Sequence, residues 1–540
     1  MLLKRKVSNG KKAKYILAIC AILGFNSLIA VAQHATEVLD IGSNRELFID
    51  DYLLESMTGD IHFDMHHPVE REIVLVHDQP WEGNTCSYHS IFKDGDIYRM
   101  YYRASHISMD LENKRINVNT HPWQFCYAES KDGKTWVRPN LGINEFNGSK
   151  DNNIVFSSDY MKAIGVKLFD NATFFKDANP KVKPDALYKA IVAGSQDEKY
   201  GLYAFKSPDG IHWTPLSEKP IIIDGHFDSQ NIAFWDEKAE IYRAYWRYFD
   251  ENGKMGKDFG DGIRAIRTAT STDFINWSEH QNLSYIDSPR EELYTNQIQP
   301  YYRAPQILLG FPARYTERGW DSPSMAALPD STFRKQKSSV GNRFGMAIVD
   351  CMLMSSRDGK VFNRKNEAFM RPGIERTGTW NYGPYFGWGI LETESDLKGA
   401  DLISAPNELS FYVTENMWSP IPYVHMRRFT LRIDGFVSLS ASAKGGCFTS
   451  KALTFTGSNL YLNFSTSGAG YVRVELQDVN GQALPGFSLD DCYPVFGDTL
   501  SRVVTWKNKK GVEQLSGKTV KLVFEVKDAD IFSFQFRDEN

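Results

Sequence analysis

The stretch Ser130-Lys131-Asp132-Gly133-Lys134-Thr135-Trp136 decides the fold, because the chain repeats its pattern. An Asp-Gly pair between two alternating apolar runs indicates a β-hairpin, since Asp bonds back to the turn backbone and Gly accepts a positive φ. The aromatic residue that follows opens the next strand. Variants of the stretch recur at 207–213, 271–277 and 356–362 and more loosely at 432–436, at intervals of 64 to 85 residues. Five such repeats predict one supersecondary unit stacked five times.

The unit can be extended backwards from each repeat. About thirty residues earlier lies an aromatic-rich alternating run, such as 97–103, and before it another run, such as the one that ends in Ile91-Phe92-Lys93-Asp94. Together with the strand that follows the turn, these runs give four strands, which is typical of a propeller blade. The sequence therefore predicts an all-β protein with a five-bladed β-propeller over residues 44–435 and few helices.

The segments on either side of the propeller have different patterns. Residues 436–540 contain longer alternating strands separated by Gly, Asn and Asp turns, without the repeated stretch. This pattern is typical of a β-sandwich, so we predict a C-terminal sandwich domain. Residues 45–54 have the pattern of a strand ahead of the first blade, and they are a candidate to complete the last blade and close the ring.

The first 32 residues have the pattern of a signal peptide. A basic segment ends at Lys14, an apolar run spans 15–31, and Ala30-Val31-Ala32 fits the small-x-small cleavage rule. A membrane anchor is the alternative, although Asn26 and Ser27 interrupt the run and it is slightly short for a span. We predict a periplasmic or secreted protein that is cleaved after Ala32 and has no membrane partner afterwards.

Charge and cysteine content exclude several classes of protein. Residues 1–32 carry six basic and no acidic side chains, so their removal changes the formal net charge from −5 to −11. Such an acidic chain without a basic tract is a poor candidate for nucleic-acid binding. Five scattered cysteines remain, without a C-x-x-C motif, which excludes a disulfide scaffold and gives no zinc pattern. Cys447 and Cys492 are compatible with either a disulfide or two buried thiols.

Acidic residues recur where successive blades begin their first strand, the strand that lines the central channel. Asp170, Asp228 and Glu291 occupy this place in the second, third and fourth blades, beside amides and aromatic residues. A sugar site needs these types, because carboxylates perform acid and base catalysis, amides bind hydroxyls, and aromatic faces cover C–H surfaces. We therefore expect a carbohydrate partner. The sequence indicates no cofactor and shows no ligand cluster for a channel metal.

The chain resembles the invertase and arabinanase group of secreted five-bladed propeller glycosidases, whose families are 32 and 43. The resemblance rests on Pro80-Trp81-Glu82-Gly83, the five repeats and the C-terminal module. The segments 47–52, 228–231, 294–297 and 429–436 resemble more closely a bacterial branch often labelled invertase-like. The chain lacks the Asn-Asp-Pro-Asn, Arg-Asp-Pro and Glu-Cys-Pro motifs of invertases, so cleavage of sucrose or fructans is not expected and no catalytic residue transfers directly.

The resemblance implies three catalytic acids from different blades. By position these are Asp228 as base or nucleophile, Asp170 as the residue that orients and tunes, and Glu291 as general acid. Glu292 competes with Glu291, because adjacent strand residues point to opposite faces. Glu82 and Asp51 are further candidates.

Several other side chains are candidates to bind the substrate. Arg99 and Arg103, and likewise Arg243 and Arg247, lie four apart on alternating strands, so each pair shares a face. In the channel they would suit a carboxylate or sulfate through bidentate contacts, and otherwise they would pair with acids of neighbouring blades. The predicted substrate ligands are His89, Arg103, Asn231, Arg247, Tyr294, Asn296 and Arg303.

These observations predict a secreted glycoside hydrolase that acts on a plant or algal poly- or oligosaccharide, with acidic or sulfated saccharides among the candidates. Two alternatives remain open at this point. One is a carbohydrate-binding propeller protein without catalytic activity, and the other is a glycoside phosphorylase on the same propeller.

Overall fold

A computed structural model describes residues 38–118, 120–196, 199–250, 262–397, 405–508 and 511–539. The predicted signal peptide lies outside these residues. The described chain is all-β, with only short helices. In this part of the chain no helix has the length and apolar character needed to cross a bilayer.

Five antiparallel sheets follow one another along the chain. Each has four main strands in the spatial order first, second, third and fourth. The strands are Ser87–Asp94, Ile97–Ala104, Gln124–Ser130 and Trp136–Val137 in sheet 1; Lys167–Lys176, Tyr188–Gln196, Lys199–Ser207 and Thr214–Pro215 in sheet 2; Ile232–Asp236, Ile241–Asp250, Ile263–Ser271 and Gln281–Asn282 in sheet 3; Gln299–Tyr301, Ala304–Gly310, Met354–Ser356 and Val361–Arg364 in sheet 4; and Tyr385–Phe386, Glu408–Glu415, Val424–Leu431 and Val69–His77 in sheet 5. Short additional strands join sheets 1, 4 and 5, namely Ile154–Phe156, Ser284–Ile286 and Leu391–Thr393.

In sheets 1 to 4 the repeated stretch forms the turn between the third and fourth strands, as predicted. The fifth copy, 432–436, instead connects the third strand of sheet 5 to Val437–Ser450, which lies outside that sheet. In sheet 1, Asp132 Oδ1 accepts hydrogen bonds from the backbone N–H groups of Lys134 and Thr135, at 2.8 and 2.7 Å. Ser130 Oγ accepts from Gly133 N at 2.9 Å, and Gly133 has a φ of 73°. The same bonds recur around Asp209, Asp273 and Asp358. The side chain of Asp therefore builds the turn, and a residue at positive φ closes it.

Each turn also contacts the preceding sheet. In three cases a buried tyrosine hydroxyl of that sheet donates to the backbone carbonyl of the turn glycine: Tyr101 to Gly210 at 2.9 Å, Tyr245 to Gly359 at 3.0 Å and Tyr412 to Gly133 at 2.6 Å. In the other two cases Tyr301 donates to the Asp434 carboxylate at 2.6 Å, and the Phe175 ring packs 5.6 Å from the Phe274 ring. Because the turn of sheet 1 lies on sheet 5, these contacts link the five sheets in a closed cycle.

The first strands of the five sheets begin around one centre. Gln230, at the start of sheet 3, donates from Nε2 to the carbonyls of Tyr88 in sheet 1 and Ala172 in sheet 2, at 3.1 and 3.4 Å. Gln297, at the start of sheet 4, donates to Gln230 Oε1 at 2.5 Å and to the carbonyl of Phe386 in sheet 5 at 2.9 Å. The loops that enter these strands are therefore brought together.

The expectation that residues 45–54 complete the last sheet is wrong. Val69–His77 pairs with Val424–Leu431 and takes that place in sheet 5. Arg45–Leu47 and Leu54–Met65 instead pair with Lys521–Arg537 and Val437–Ser450. Both segments alternate and both precede the first sheet, so the pattern alone did not distinguish them.

The C-terminal strands form a separate sheet, called here the terminal sheet. Its strands in spatial order are Leu54–Met65, Val437–Ser450, Lys521–Arg537, Asn459–Gln477 and Asp498–Val503, with Arg45–Leu47 beside Lys521–Arg537. The two longest strands, Asn459–Gln477 and Lys521–Arg537, pair with each other, and their pairing shifts between Thr466 and Tyr471. Residues on both sides of this shift line a single apolar core. Leu39–Gly42 pairs in parallel with Leu453–Phe455 beside this sheet. Cys447 and Cys492 are free thiols, so they form no disulfide.

An insertion extends sheet 4. Glu292–Leu293, Ala313–Glu317 and Ala347–Cys351 form a three-stranded sheet that continues its second and third strands. The helices Pro323–Ala327, Ser331–Val340 and Asn342–Met346 connect two of these strands. The remaining elements are the hairpin Ser108–Asp110 with Arg115–Asn117, the helix Ser158–Ala163 and the 3-10 turns Pro184–Ala186 and Glu513–Leu515.

Candidate active site

Three carboxylates from the entries to sheets 2, 3 and 4 each contact an arginine. Asp170 accepts from Arg103 Nη1 at 2.8 Å. Asp228 pairs with Arg247, and Glu292 pairs with Arg264. The three carboxylate–arginine pairs surround a cluster of tyrosines, and together they form the candidate site.

Aromatic rings connect the pairs. The guanidinium of Arg103 lies 4.8 Å from the ring centre of Tyr88, and Tyr88 stacks on Tyr385 at 5.8 Å. Tyr385 in turn stacks on Tyr294 at 5.6 Å. The guanidiniums of Arg247 and Arg264 lie 5.0 and 5.5 Å from the Tyr294 ring. The carboxylates of successive sheets are thus held around one aromatic surface.

Irregular backbone turns the site residues away from their strands. Tyr88 and Asn171 have φ values of 59° and 50°, and the pairing of both first strands is shifted there. Such bulges re-aim a side chain. Asn171 N donates to Asp170 Oδ1 at 2.8 Å and its side chain accepts from Arg103 Nη1 at 2.9 Å. The bulge therefore fixes the orientation of the Asp170–Arg103 pair.

The tyrosine at the centre of the site is electrostatically unusual. Tyr382 donates its hydroxyl to the hydroxyl of Tyr294 at 2.8 Å. Burial acts to raise the pKa of Tyr294, but Arg247, the hydrogen bond from Tyr382 and Arg264 outweigh it and lower the pKa. Burial raises the pKa of Tyr382 well above its usual value. Tyr294 is thus the easier of the two to deprotonate.

Asp170 and Asp228 have different surroundings. Burial raises the pKa of Asp170, although contacts with Arg103 and Asn171 oppose the change. The side chain of Asp228 is 52% exposed, whereas that of Arg247 is 3% exposed. A carboxyl with a raised pKa suits a general acid, and an exposed carboxylate beside an arginine suits a base or nucleophile.

Glu292, rather than Glu291, is the third carboxylate of the site. In the short strand Glu292–Leu293, Glu292 lies opposite Tyr315, whose ring stacks on Tyr294 at 5.9 Å. Glu291 points to the other face, where Arg314 and Arg364 contact it at 2.9 and 3.0 Å. The assignment of Glu291 to the site is therefore corrected.

Three of the predicted substrate ligands lie in the site, namely Arg103, Arg247 and Tyr294. Arg247 has two buried nitrogens, Nε and Nη1, without a hydrogen-bond partner, and Arg103 has one, Nε. Unpaired buried donors are costly. Single unpaired nitrogens also occur in arginines outside the site, such as Arg334 and Arg364, whereas Arg247 is the one residue with two in the part of the chain that the structure describes.

Two predicted ligands support the loops instead. Asn231 is buried and donates to the carbonyls of Asn171 and Phe227, both at 3.0 Å. Asn296 is also buried and accepts from the N–H of Ile298 at 3.2 Å. Both side chains hold the loops that carry the site residues.

Two further predictions are wrong. His89 is fully buried, and its Nε2 lies 3.1 Å from Nε2 of His77, so it does not face the site. Arg303 contacts Asp434 at 3.0 Å, where sheet 4 meets the terminal sheet. Arg303 lies in the turn between Gln299–Tyr301 and Ala304–Gly310, and its partner Asp434 is 131 residues away, so the sequence did not reveal this contact.

The additional acids Glu82 and Asp51 also lie elsewhere. Asp51 is exposed just before the strand Leu54–Met65 of the terminal sheet. Glu82 is 2% exposed and accepts from Tyr102 Oη at 2.5 Å and from Arg138 Nε at 3.0 Å. Burial acts to raise the pKa of Glu82, but His77, Arg138 and Tyr102 lower it to about 2. Glu82 is therefore a structural anion.

We expect Glu82 to make the stability of the protein depend on pH in acid. Its folded-state pKa of about 2 lies below its usual value of 4.5. The ionised carboxylate thus stabilises the fold above pH 4.5, and this contribution, about 3 kcal/mol, is lost as the pH falls toward 2. Urea midpoints measured between pH 7 and pH 3 should fall more steeply for the wild type than for Glu82→Gln. Parallel curves for the two proteins would contradict this account.

The sequence analysis missed several members of the site. Arg264, Tyr88, Tyr382 and Tyr385 were not selected, although Ile263-Arg264-Ala265-Ile266 shows the alternation of a strand with arginine on one face. Beside Asp170 lies a cleft of about 780 Å³, which Trp123 and Tyr200 help to line. Among the described residues, the single three-residue group with metal-ligand spacing is Asp64, His66 and Asp530 in the terminal sheet, not at this site.

Comparisons with known proteins give similarity at the level of solved structures. No family model and no curated protein matches the chain. A glycosyl hydrolase from Bacteroides ovatus matches with a TM-score of 0.35 and 12% identity, over 70% of this chain and 96% of that one. An N-acetylgalactosamine deacetylase from F. plautii matches with a TM-score of 0.39 and 10% identity, over 68% and 96%. The catalytic domain of a family 62 α-L-arabinofuranosidase from Coprinopsis cinerea matches with a TM-score of 0.38 and 9% identity, over 68% and 97%.

Proposed function

We propose that the protein is a secreted glycoside hydrolase that cleaves a plant or algal poly- or oligosaccharide. In this proposal the five sheets, which lie within residues 69–431 and not over the expected 44–435, are the blades of a five-bladed propeller. Residues 436–540 form a β-sandwich domain to which Arg45–Leu47 and Leu54–Met65 add strands, and the signal peptide is removed after Ala32. The observation that carries the proposal is the convergence of Asp170, Asp228 and Glu292 from three consecutive sheets around one tyrosine cluster.

The environments of the three acids suggest their roles. Asp228, which is half exposed beside Arg247, would act as base or nucleophile. Asp170, whose pKa burial raises, would donate the proton to the leaving oxygen. Glu292 would orient Arg264 against Tyr294 and Tyr315. The resemblance led us to expect Asp170 as the tuning residue and Glu291 as the general acid. In this proposal Asp170 is the general acid, and Glu292, in the place of Glu291, is the tuning residue.

The unpaired donors favour an acidic or sulfated sugar. Arg247 has two buried nitrogens without a partner, and its third is used by Asp228. A carboxylate or sulfate on the substrate would accept a charge-assisted hydrogen bond from one of these N–H groups. Burial lowers the pKa of Arg247, which is consistent with a cation that lacks sufficient anionic contacts.

The proposal is tested by chromatography of reaction products. The mature protein, residues 33–540, is incubated with a broad oligosaccharide panel that includes uronic and sulfated sugars, beside Asp228→Asn. We expect release of a sugar by the wild type and no release by the variant. Release by both proteins would retain the enzyme but discard the site. Binding without release would instead support a carbohydrate-binding protein.

We expect Glu292 and Glu291 to differ sharply in their effect on turnover. The two side chains are well matched, since they are 24% and 23% exposed and each pairs with arginine. Glu292→Gln removes the charge that positions Arg264 and should lower kcat/KM by about 10². Glu291→Gln should leave kcat/KM near the wild-type value. The opposite result would show that Glu291 faces the substrate.

A glycoside phosphorylase is the second candidate, because the free donors of Arg247 would also bind orthophosphate. Cleavage that requires orthophosphate and yields a sugar phosphate would identify it.

A further inference from the structure

We propose that the cleft beside Asp170 is a second sugar-binding subsite, which takes a negatively charged residue of the saccharide next to the bond that is cleaved. This inference rests on the proposed function and extends it. It predicts that the substrate has at least two sugar residues and that a carboxylate or sulfate lies outside the candidate site.

The cleft is continuous with the candidate site. Its volume is about 780 Å³, and Asp170 belongs to its lining. Trp123, also in the lining, lies 5.1 Å from the guanidinium of Arg103, the partner of Asp170. Tyr200 lines the cleft and contacts the ring of Phe227, the residue before Asp228, at 5.7 Å. A saccharide that leaves the site past Asp170 therefore enters between Trp123 and Tyr200.

The shape and polarity of the cleft suit a sugar. Both aromatic side chains are partly exposed, with Tyr200 40% exposed. Leu168, at the rim, has a φ of 49° and is 79% exposed. Ligand sites are concave and combine aromatic walls with a few polar groups that fix orientation. The flat faces of Trp123 and Tyr200 would cover the C–H faces of a pyranose ring.

The charge of the cleft favours an anionic residue. Lys162 and Lys167 line it, whereas Asp170 is the one acidic residue of its described lining and already pairs with Arg103. The charges of Asp170 and Arg103 offset each other, so the two lysines leave the cleft with a positive charge.

One neighbouring acid reduces this positive charge only slightly. Asp159 lies 3.6 Å from Lys162 but is 91% exposed to solvent. Contacts between exposed charges are weak and are screened by salt. Lys162 and Lys167 consequently dominate the field in the cleft, and we expect binding of an anionic saccharide to weaken as the salt concentration rises.

Binding of defined oligosaccharides tests the inference. The mature protein carrying Asp228→Asn, which blocks turnover in the proposed mechanism, is titrated calorimetrically with galacturonic acid and its dimer to tetramer. Sulfated κ-carrageenan oligosaccharides and neutral xylo-oligosaccharides of equal length form the other arms. We expect the anionic oligomers to bind about tenfold more tightly than the anionic monomer, and the neutral oligomers to bind more weakly. The arm that binds identifies the carboxylate or the sulfate as the recognised group.

Variants locate this binding in the cleft. On the Asp228→Asn background, Trp123→Ala and Lys167→Ala should each weaken oligomer binding about five- to tenfold and leave monomer binding unchanged. The control is Lys181→Ala, an exposed lysine beyond the other end of the first strand of sheet 2. Any one of four results would overturn the inference. Oligomer and monomer bind equally, neutral oligomers bind as tightly as anionic ones, neither anionic series binds, or both variants keep the unchanged affinity.

The outcome is distinguishable from that of the proposed function. If the wild type releases a sugar and the cleft variants behave as the wild type at every chain length, the hydrolase proposal stands and the subsite fails. If anionic oligomers bind through Trp123 and Lys167 but no bond is cleaved, the subsite stands and the hydrolase proposal fails.

Discussion

Asp228→Asn should lower kcat/KM by about 10³-fold in the proposed hydrolase, which is within the range for loss of a catalytic base or nucleophile. Asp228 is the most exposed of the three site carboxylates, and Arg247 holds it beside Tyr294. The amide keeps the size of the side chain but can neither accept a proton nor attack an anomeric carbon. Binding of the saccharide should persist in the variant, because Arg103, Tyr294 and the cleft are unchanged.

Asp224→Asn is the matched control. Asp224 lies four residues earlier in the same loop, is 56% exposed and pairs with Arg267 at 2.8 Å, so it resembles Asp228 in exposure and pairing. It has no contact with the tyrosine cluster among the described residues. We expect its kcat/KM to equal that of the wild type. A similar loss in both variants, or in neither, would contradict the role of Asp228.

The repeated turn shows how much of the fold the sequence could predict. The Asp-Gly stretch is local, because Asp132 and Gly133 make their bonds within seven residues, and its repetition is therefore visible without knowledge of tertiary contacts. The repeat could not reveal which residue of the preceding sheet each turn contacts. Tyr412 reaches Gly133 across 279 residues, and such a pairing has no local signature.

The candidate site was predicted only in part for the same reason. Asp170, Asp228 and Tyr294 were found because acids and aromatics recur where strands begin. The choice between Glu291 and Glu292 required the register of a two-residue strand, and a shift of one residue reverses the face. Arg103 and Arg99 share a strand face, yet Arg103 serves the site while Arg99 binds Asp94 and the turn carbonyl of Asp209. Only long-range contacts separate these functions.

Sheet 4 and the terminal sheet are joined through the fifth repeat. Its turn departs from the other four, because Asp434 itself adopts a φ of 63° and its side chain faces other elements instead of the turn backbone. Asp434 Oδ1 accepts from Tyr301 in sheet 4, and Oδ2 accepts from Ser533 in the terminal sheet, at 2.6 and 2.7 Å. The departure from the repeated pattern therefore marks the residue that joins the two sheets.

Asp434→Asn should destabilise the protein by about 3 to 5 kcal/mol, the range for a buried ion pair that loses one partner. Asp434 is fully buried between Arg45 and Arg303, at 3.4 and 3.0 Å. Burial acts to raise its pKa, but Arg303 and Arg45 outweigh it, so the pKa is lowered and the carboxylate is ionised in the folded state. The amide would leave Arg45, itself 8% exposed, without an anion, and would place N–H donors against donors of Asn463 or Ser533.

Urea unfolding followed by tryptophan fluorescence measures this change, with Asp490→Asn as the control. Asp490 is 99% exposed and lies 3.9 Å from Arg473, so its replacement should have no measurable effect. If Asp434→Asn unfolded at the wild-type midpoint, the two arginines would have to be satisfied by other groups. Because Asp434 contacts both Tyr301 of sheet 4 and Ser533 of the terminal sheet, we expect both parts to lose stability together, in a single shifted transition.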